Sequence, residues 1–353
     1  MFSTHERSNM PSAREHQPSL TTSGDYALDI IDDFRSALHD DTRMEELEVE
    51  FPDFTASIGA YGVALMNLSD NDAGAFKWRG AAVGMTMLKN QGIDHVIAPS
   101  AGNHARGAAL AAKLLDMHLT VVVPKSAPPE KKDFIRQLAP ERLLRVHVTG
   151  DTFDDSLEWA LSQHGTTLHP YDNADVVAGQ GTVVDDLLAQ HPETQHIVLP
   201  VGGGGLLAGV LARLEQKGRT DITVYAAQAD GSNSLGRSVD AGKLRDAHRP
   251  NQRYGGSAVR TIGAFTLAQS LRSPNLQLLT VPDDDVAELS ELYDHDRRRL
   301  LRTETPNYEP TTLVAVAALK QLTHLDAPVT VLGTGQNDTV YPSATRRRRY
   351  LPF

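Results

Sequence analysis

The chain of 353 residues carries a formal net charge of −11 and contains no cysteine. The acidic balance argues against general affinity for nucleic acid or anionic membrane, and the lack of thiols excludes disulfide scaffolds, thiolate metal sites and cysteine nucleophiles. With 40% hydrophobic and 22% charged residues, it has the composition of a globular protein long enough for two domain cores.

Residues 1–23 are polar and rich in Ser, Pro and charge, which predicts a disordered leader. There is no run of about 18 apolar residues and no apolar signal core, so a cytoplasmic location is expected. Leu28, Ile31, Phe34 and Leu38 have helical spacing, predicting a helix over 27–38. From residue 82 the pattern alternates. A helix to 89 is followed by a strand at 95–98, a helix at 105–115 and a strand at 119–124. A helix at 130–138 and a strand at 144–148 come next. Further strands are expected at 197–201, 222–227 and 329–332, the first feeding a glycine run and a helix. Continuous apolar strands separated by helices imply an α/β protein with mostly parallel sheets covered on both faces. No solenoid-length repeat is present. Arg346 to Arg349 read as a solvated tail in so acidic a chain.

Chemistry is concentrated in a few motifs. Lys77 sits between Phe76 and Trp78 and just before a small-residue helix start. Apolar packing there would lower its pKa, as a Schiff-base amine requires. Ser100-Ala101-Gly102-Asn103-His104 follows a strand and opens a helix, placing free N–H groups and a hydroxyl where a carboxylate can be bound. Gly202-Gly203-Gly204-Gly205 between strand and helix offers converging amides to a phosphate. The same run also fits a dinucleotide fingerprint, Gly203-x-Gly205-x-x-Ala208, with Asp230 placed to hold a ribose. A dehydrogenase has no use for Lys77 and Asn103 in these settings. The 14 histidines show no metal-ligand spacing and read as surface or structural.

Taken in order, Ala75-Phe76-Lys77-Trp78-Arg79-Gly80-Ala81, Ser100 to Ala105, Gly202 to Leu207, Glu309-Pro310-Thr311 and Thr334-Gly335-Gln336-Asn337 resemble the serine/threonine dehydratase branch of the fold-type II pyridoxal-phosphate enzymes. The match runs from about Ala64 to Asn337 and is close from His169-Pro170 through Leu187, around Ala178-Gly179-Gln180-Gly181-Thr182. The chain departs from the family at Ala75 (Ser in the family motif), at Met66-Asn67-Leu68 (lysine-x-glutamate) and at Gly255 (acidic). The resemblance implies a tryptophan synthase β-like fold of two domains. Residues 24–94 with 175–353 would form a large cofactor domain and 95–174 a small mobile one, with no C-terminal regulatory domain. It implies that Lys77 holds pyridoxal 5′-phosphate as a Schiff base and that Phe76 flanks the ring. Asn103 would meet the 3′-oxygen, and Gly202, Gly203, Gly204, Gly205 and Leu206 would hold the phosphate. Gly256 would lie beside the Schiff base, Glu309 near the ring, and the Thr334 hydroxyl at the pyridine nitrogen. Ser100, Ala101, Gly102, Asn103 and His104 would grip the substrate carboxylate.

Two positions refine the branch. Cysteine-synthase and threonine-synthase relatives carry threonine where His104 stands, and serine racemases carry a second serine at position 101, here Ala101. Some family members hold a divalent cation through a glutamate where this chain has Gln228, so no metal is expected. The expected activity is an ammonia-lyase converting an L-threonine- or L-serine-like amino acid to a 2-oxo acid and ammonia. The enzyme is expected to be a homodimer. The alternatives are β-replacement, a diaminopropionate-type lyase, a nicotinamide-dependent oxidoreductase, and a catalytically dead binding protein.

Overall fold

The computed structural model describes residues 25–337 except 61, 300–306, 323 and 326. The expected leader and the arginine block at 346–349 lie outside the described residues. Ten strands are present among them: β1 Arg43–Glu46, β2 Ala64–Asn67, β3 His95–Pro99, β4 His118–Val123, β5 Leu144–Val148, β6 Thr166–Thr167, β7 His196–Pro200, β8 Thr223–Ala229, β9 Leu276–Val281 and β10 Val329–Gly333. They form a six-stranded sheet in the order β1-β2-β10-β7-β8-β9 and a four-stranded sheet in the order β5-β4-β3-β6. The β1–β2 pair is antiparallel; the other strand pairings described are parallel.

Of the strands read from the sequence, β7, β8 and β10 are buried on both faces, whereas β5, at the edge of the small sheet, is largely open to solvent. In β7, Val198 joins the cluster of Leu313, Val314 and Val331 under the helix Pro310–Ala317. Its neighbours Ile197 and Leu199 point the other way, to Leu206, Leu207 and Val210 of the helix Gly205–Gln216. Successive side chains alternate faces, so a strand between two helix layers must be apolar throughout. Four strands lie outside the sequence expectation. β1 (Arg-Met-Glu-Glu) is a polar edge, β6 has two residues, and β9 is a half-exposed edge. β2 is only four residues long, though fully buried. It contains the divergent Met66 and Asn67 at 0% exposure, so this departure from the family lies in the core.

The helix expected just after Lys77 spans Trp78–Asn90. It packs with the helix Asn103–Leu115 and with β3 and β4 in a cluster that includes Trp78, Val83, Met85, Val96, Ala98, Ala108 and Val121. Gly107 permits the closest approach, because a Cβ there would lie 2.8 Å from the Trp78 Cα. That contact seats the Asn103 helix against the Lys77 segment. Among the described residues no helix is long and apolar enough to cross a membrane.

Candidate active site

The segment holding Lys77 is stitched to the end of the large sheet. Ala75 forms an isolated antiparallel bridge with Gly335, the Phe76 amide donates to the Thr334 carbonyl at 3.1 Å, and the Gln336 amide donates to the Gly74 carbonyl at 3.0 Å. The lysine motif and the late hydroxyl motif, far apart in sequence, therefore share one backbone framework. Two residues beyond the lysine, Arg79 anchors the segment from below. It is 0% exposed, pairs with Asp186 at 2.6 Å and Asp40 at 3.3 Å, and donates to the Thr182 hydroxyl at 3.2 Å.

Lys77 is half-buried. Its Nζ donates to the Pro170 carbonyl at 3.1 Å and lies 5.1 Å from the Phe76 ring centroid. Burial pushes its pKa down to about 8, with the Glu309 charge acting in the opposite sense. Removing an ammonium from water disfavours its charged form, so the expected lowering is present and has the expected cause.

Ser100 opens the loop after β3. Its amide donates to the Val122 carbonyl at 3.0 Å, and its hydroxyl accepts the Gly102 amide at 3.1 Å. Ala101 is half-buried against the cluster below. Asn103 begins the helix, and its Nδ2 donates to both Glu309 carboxylate oxygens, at 3.0 and 3.2 Å. Its Oδ1 accepts from Nη2 of Arg106. His104 turns inward, where Nε2 donates to the Leu168 carbonyl at 3.0 Å. Burial, then the Lys77 charge, pushes its pKa down to about 3, so it is neutral. His169 also lies near Lys77, and burial lowers its pKa as well. Its Nδ1 accepts the Asp172 amide at 2.9 Å. His104 is thus buried and His169 half-buried, and neither is a surface residue.

The glycine run forms the turn from β7 into the helix Gly205–Gln216, and Gly204 adopts φ 86°. The absent Cβ atoms leave room for protein. A Cβ on Gly203 would lie 2.3 Å from the Tyr171 ring, one on Gly204 2.2 Å from Thr266, and one on Gly202 2.3 Å from the Gly256 carbonyl oxygen. The turn is therefore wedged between three neighbours. The helix has no side-chain N-cap, so its first amides and positive dipole end are available to an anion. Leu206 is buried beneath. Gly256 is adjacent through its carbonyl, and the Gly255 that breaks the family pattern has φ 48° with open space around it.

Glu309 precedes the helix Pro310–Ala317, and its amide donates to the Gly335 carbonyl at 3.0 Å. Thr334 is 1% exposed; its hydroxyl meets that of Thr312 at 3.3 Å, and its amide donates to the Thr312 hydroxyl at 3.1 Å. Gln228 is fully engaged, donating to the Val201 carbonyl at 3.3 Å and accepting the Leu235 amide at 2.8 Å. Asp230, which a dinucleotide site would need, is exposed. Remote from the cleft, Asp53, His295 and Asp296 hold one donor atom each within 4.8 Å of one another. Asp296 there accepts the Asp53 amide at 3.1 Å, which gives it a structural role at a helix start.

Sequence reasoning passes over Arg106, Tyr171 and Thr312, which fix Asn103, the glycine turn and Thr334. Only Tyr171 carries a signal, standing within the stretch from His169 that tracks the dehydratases. The parts together suit a phosphate-bearing aldehyde cofactor: a half-buried amine of lowered pKa, a glycine turn on a helix N-terminus, and amide and hydroxyl donors around them.

Comparison with known proteins agrees. Residues 44–335 match the model of the family described as pyridoxal-phosphate dependent enzyme. The chain is 33% identical over 252 residues to the biosynthetic L-threonine dehydratase IlvA of Pasteurella multocida, a match covering 70% of this chain and 47% of that protein. It is 32% identical over 251 residues to the L-threo-3-hydroxyaspartate ammonia-lyase of a Pseudomonas species, covering 70% of this chain and 76% of the relative. The match thus spans about half the length of the dehydratase. Its fold is shared with the threonine deaminase of T.th. (TM-score 0.72, 26% identity, 90% of this chain and 98% of the other). Maize serine racemase has the same fold (TM-score 0.74, 22% identity, 92% and 96%). Fold, site and family match together identify the chain as a member of the pyridoxal-phosphate dependent enzymes of fold type II, with pyridoxal phosphate as its cofactor.

Proposed function

We propose that the chain is an ammonia-lyase that removes the β-hydroxyl and amino groups of a small L-hydroxy amino acid, releasing a 2-oxo acid and ammonia. The observation that carries this reading is Lys77, whose amine is brought to a pKa of about 8 and is held by a hydrogen bond to a backbone carbonyl. Such an amine can be freed and can accept a proton near neutrality. Relatives named as threonine dehydratases and a hydroxyaspartate ammonia-lyase support the same reaction class.

Pyridoxal phosphate, when bound, supplies an electron sink for the pair left at the substrate α-carbon. The chain supplies the rest. Ser100 and the amides of Asn103 and His104 hold the carboxylate, and Lys77 takes the α-proton on one face. The departing hydroxyl gains a proton and leaves as water; the released enamine then adds water and gives 2-oxo acid and ammonia. Ala101 offers no acid on the opposite face, which favours elimination over racemisation. Thr334 presents a neutral hydroxyl that does not fully protonate a ring nitrogen, which moderates the sink.

Residues 95–174 act as a small domain closing over substrate and excluding water. Two links between the halves support this: Asn103 to Glu309, and Arg260 to Asp154 at 3.7 Å. The enzyme works in the cytoplasm as a homodimer, which fractionation and light scattering test. For the activity, ammonia and 2-oxo acid are assayed on L-threonine, L-serine, L-threo-3-hydroxyaspartate and 2,3-diaminopropionate, with chiral analysis of the remaining substrate. We expect 2-oxo acid from a hydroxy amino acid, little D-isomer, and no turnover in Lys77→Ala. D-isomer forming as fast as ammonia, or no release from any substrate, would overturn the proposal.

A further inference from the structure

We propose that Arg106 is a positioning residue that fixes which end of the Asn103 amide faces the cofactor, and thereby tunes the basicity of the Lys77 Schiff base. The inference rests on reading Asn103 as the partner of the cofactor 3′-oxygen. Arg106 stands three residues after Asn103, on the same face of the helix Asn103–Leu115. It is 3% exposed, its guanidinium lies 5.8 Å from the Phe134 ring centroid, and its Nη2 donates to the Asn103 Oδ1. Arginine stays charged in a protein interior, so a permanent cation is held against one end of this amide.

A carboxamide has an acceptor end and a donor end. In Asn103 the acceptor end meets the Arg106 cation, and the donor end meets the Glu309 carboxylate at 3.0 and 3.2 Å. Rotating the amide by half a turn would set NH₂ against guanidinium and C=O against carboxylate. Both contacts would be repulsive, so the orientation is locked from two sides. Asn103 therefore presents an N–H to any oxygen brought into the cleft, and the cation on its carbonyl makes that N–H a stronger donor. A donor on the ring oxygen draws negative charge away from it. That weakens the oxygen's hold on the proton of the neighbouring Schiff-base nitrogen and lowers its pKa.

The test is a pH titration of the Schiff-base absorption band in the holoenzyme, together with the pyridoxal-phosphate dissociation constant. Arg106→Met should raise the titration midpoint by about one unit and weaken cofactor binding about tenfold, the scale of one lost charge-assisted hydrogen bond. Asn103→Ala should raise the midpoint at least as much, and Arg106→Met in the Asn103→Ala background should add nothing. Arg106→Lys, which keeps the charge, should recover part of the shift. Arg106→Gln, a milder change, should reproduce at least half of it and serves if the methionine variant does not fold. An unchanged midpoint in the Arg106 variants beside a shifted one in Asn103→Ala would overturn the inference and leave the Asn103 reading standing. An equal Arg106 effect with and without Asn103 would overturn it too. An unchanged midpoint in Asn103→Ala would instead remove the reading on which it rests.

Discussion

Burial lowers the pKa of both Lys77 and His104, yet the two shifts leave different marks on the protein. In the role proposed for Lys77, capture of pyridoxal phosphate needs its neutral amine, whose pKa is about 8. Colour formation by the apoprotein is therefore expected to accelerate about tenfold per pH unit below that value and to level off above it. Stopped-flow absorbance checks this; a rise continuing toward the ordinary lysine value of 10.5 would contradict the burial. His104 governs stability. Its folded pKa of about 3 lies below its ordinary 6.5, so between those values the unfolded chain binds a proton that the native one refuses. Stability must fall with pH across that window. His104→Gln places an Nε2 donor near the Leu168 carbonyl but does not titrate, so its denaturation midpoints should show a shallower loss toward acid. The sequence makes the first effect visible, through aromatic neighbours on either side of the lysine. It hides the second, because nothing local shows that His104 points into the core.

At the scale of elements, the glycine turn illustrates how a correct motif can have an incomplete reason. Its place between β7 and a helix is legible from the apolar run before it and the spacing after it. What fills the missing Cβ positions is not, since Tyr171, Thr266 and Gly256 arrive from distant parts of the chain. Gly203 and Gly204 then differ in kind. Gly204 needs a positive φ, whereas at Gly203 the atoms nearest to an added Cβ belong to the Tyr171 ring. Gly203→Ala is expected to weaken cofactor affinity about tenfold by pushing that ring aside, and combining it with Tyr171→Ala should restore part of the loss. Equilibrium dialysis decides the matter: no recovery in the double variant would mean that the methyl group disturbs the phosphate amides directly. The buried central strands are equally legible, because apolar runs between helices leave little choice. The edges are not. β1 is charged and β9 half-exposed, so their pairing depends on the sheet they join.

At the scale of the whole molecule, the site draws its residues from the loops and helix starts that follow strands of both sheets. Lys77, Asn103, the glycine turn and Thr334 can be named in order from the sequence. Their convergence requires the long-range pairing of Ala75 with Gly335 and of Asn103 with Glu309. That pairing has a further consequence, in time. The strand β10 sits inside the large sheet, between β2 and β7, so β1 and β2 have no route into that sheet until residues 329–333 exist. The cluster under the small sheet, by contrast, draws its buried members from Ala27 to Val176. A ribosome adding about 5–20 residues per second would release that cluster complete many seconds before the sheet carrying the glycine turn could close. Stalled chains ending near residue 300 should therefore already protect β3 to β5 from protease while β2 remains cleavable. Simultaneous protection of both would refute this order. The part that carries Asn103 would then be the first to fold, and the cofactor site would be completed only once residues 329–337 have been made.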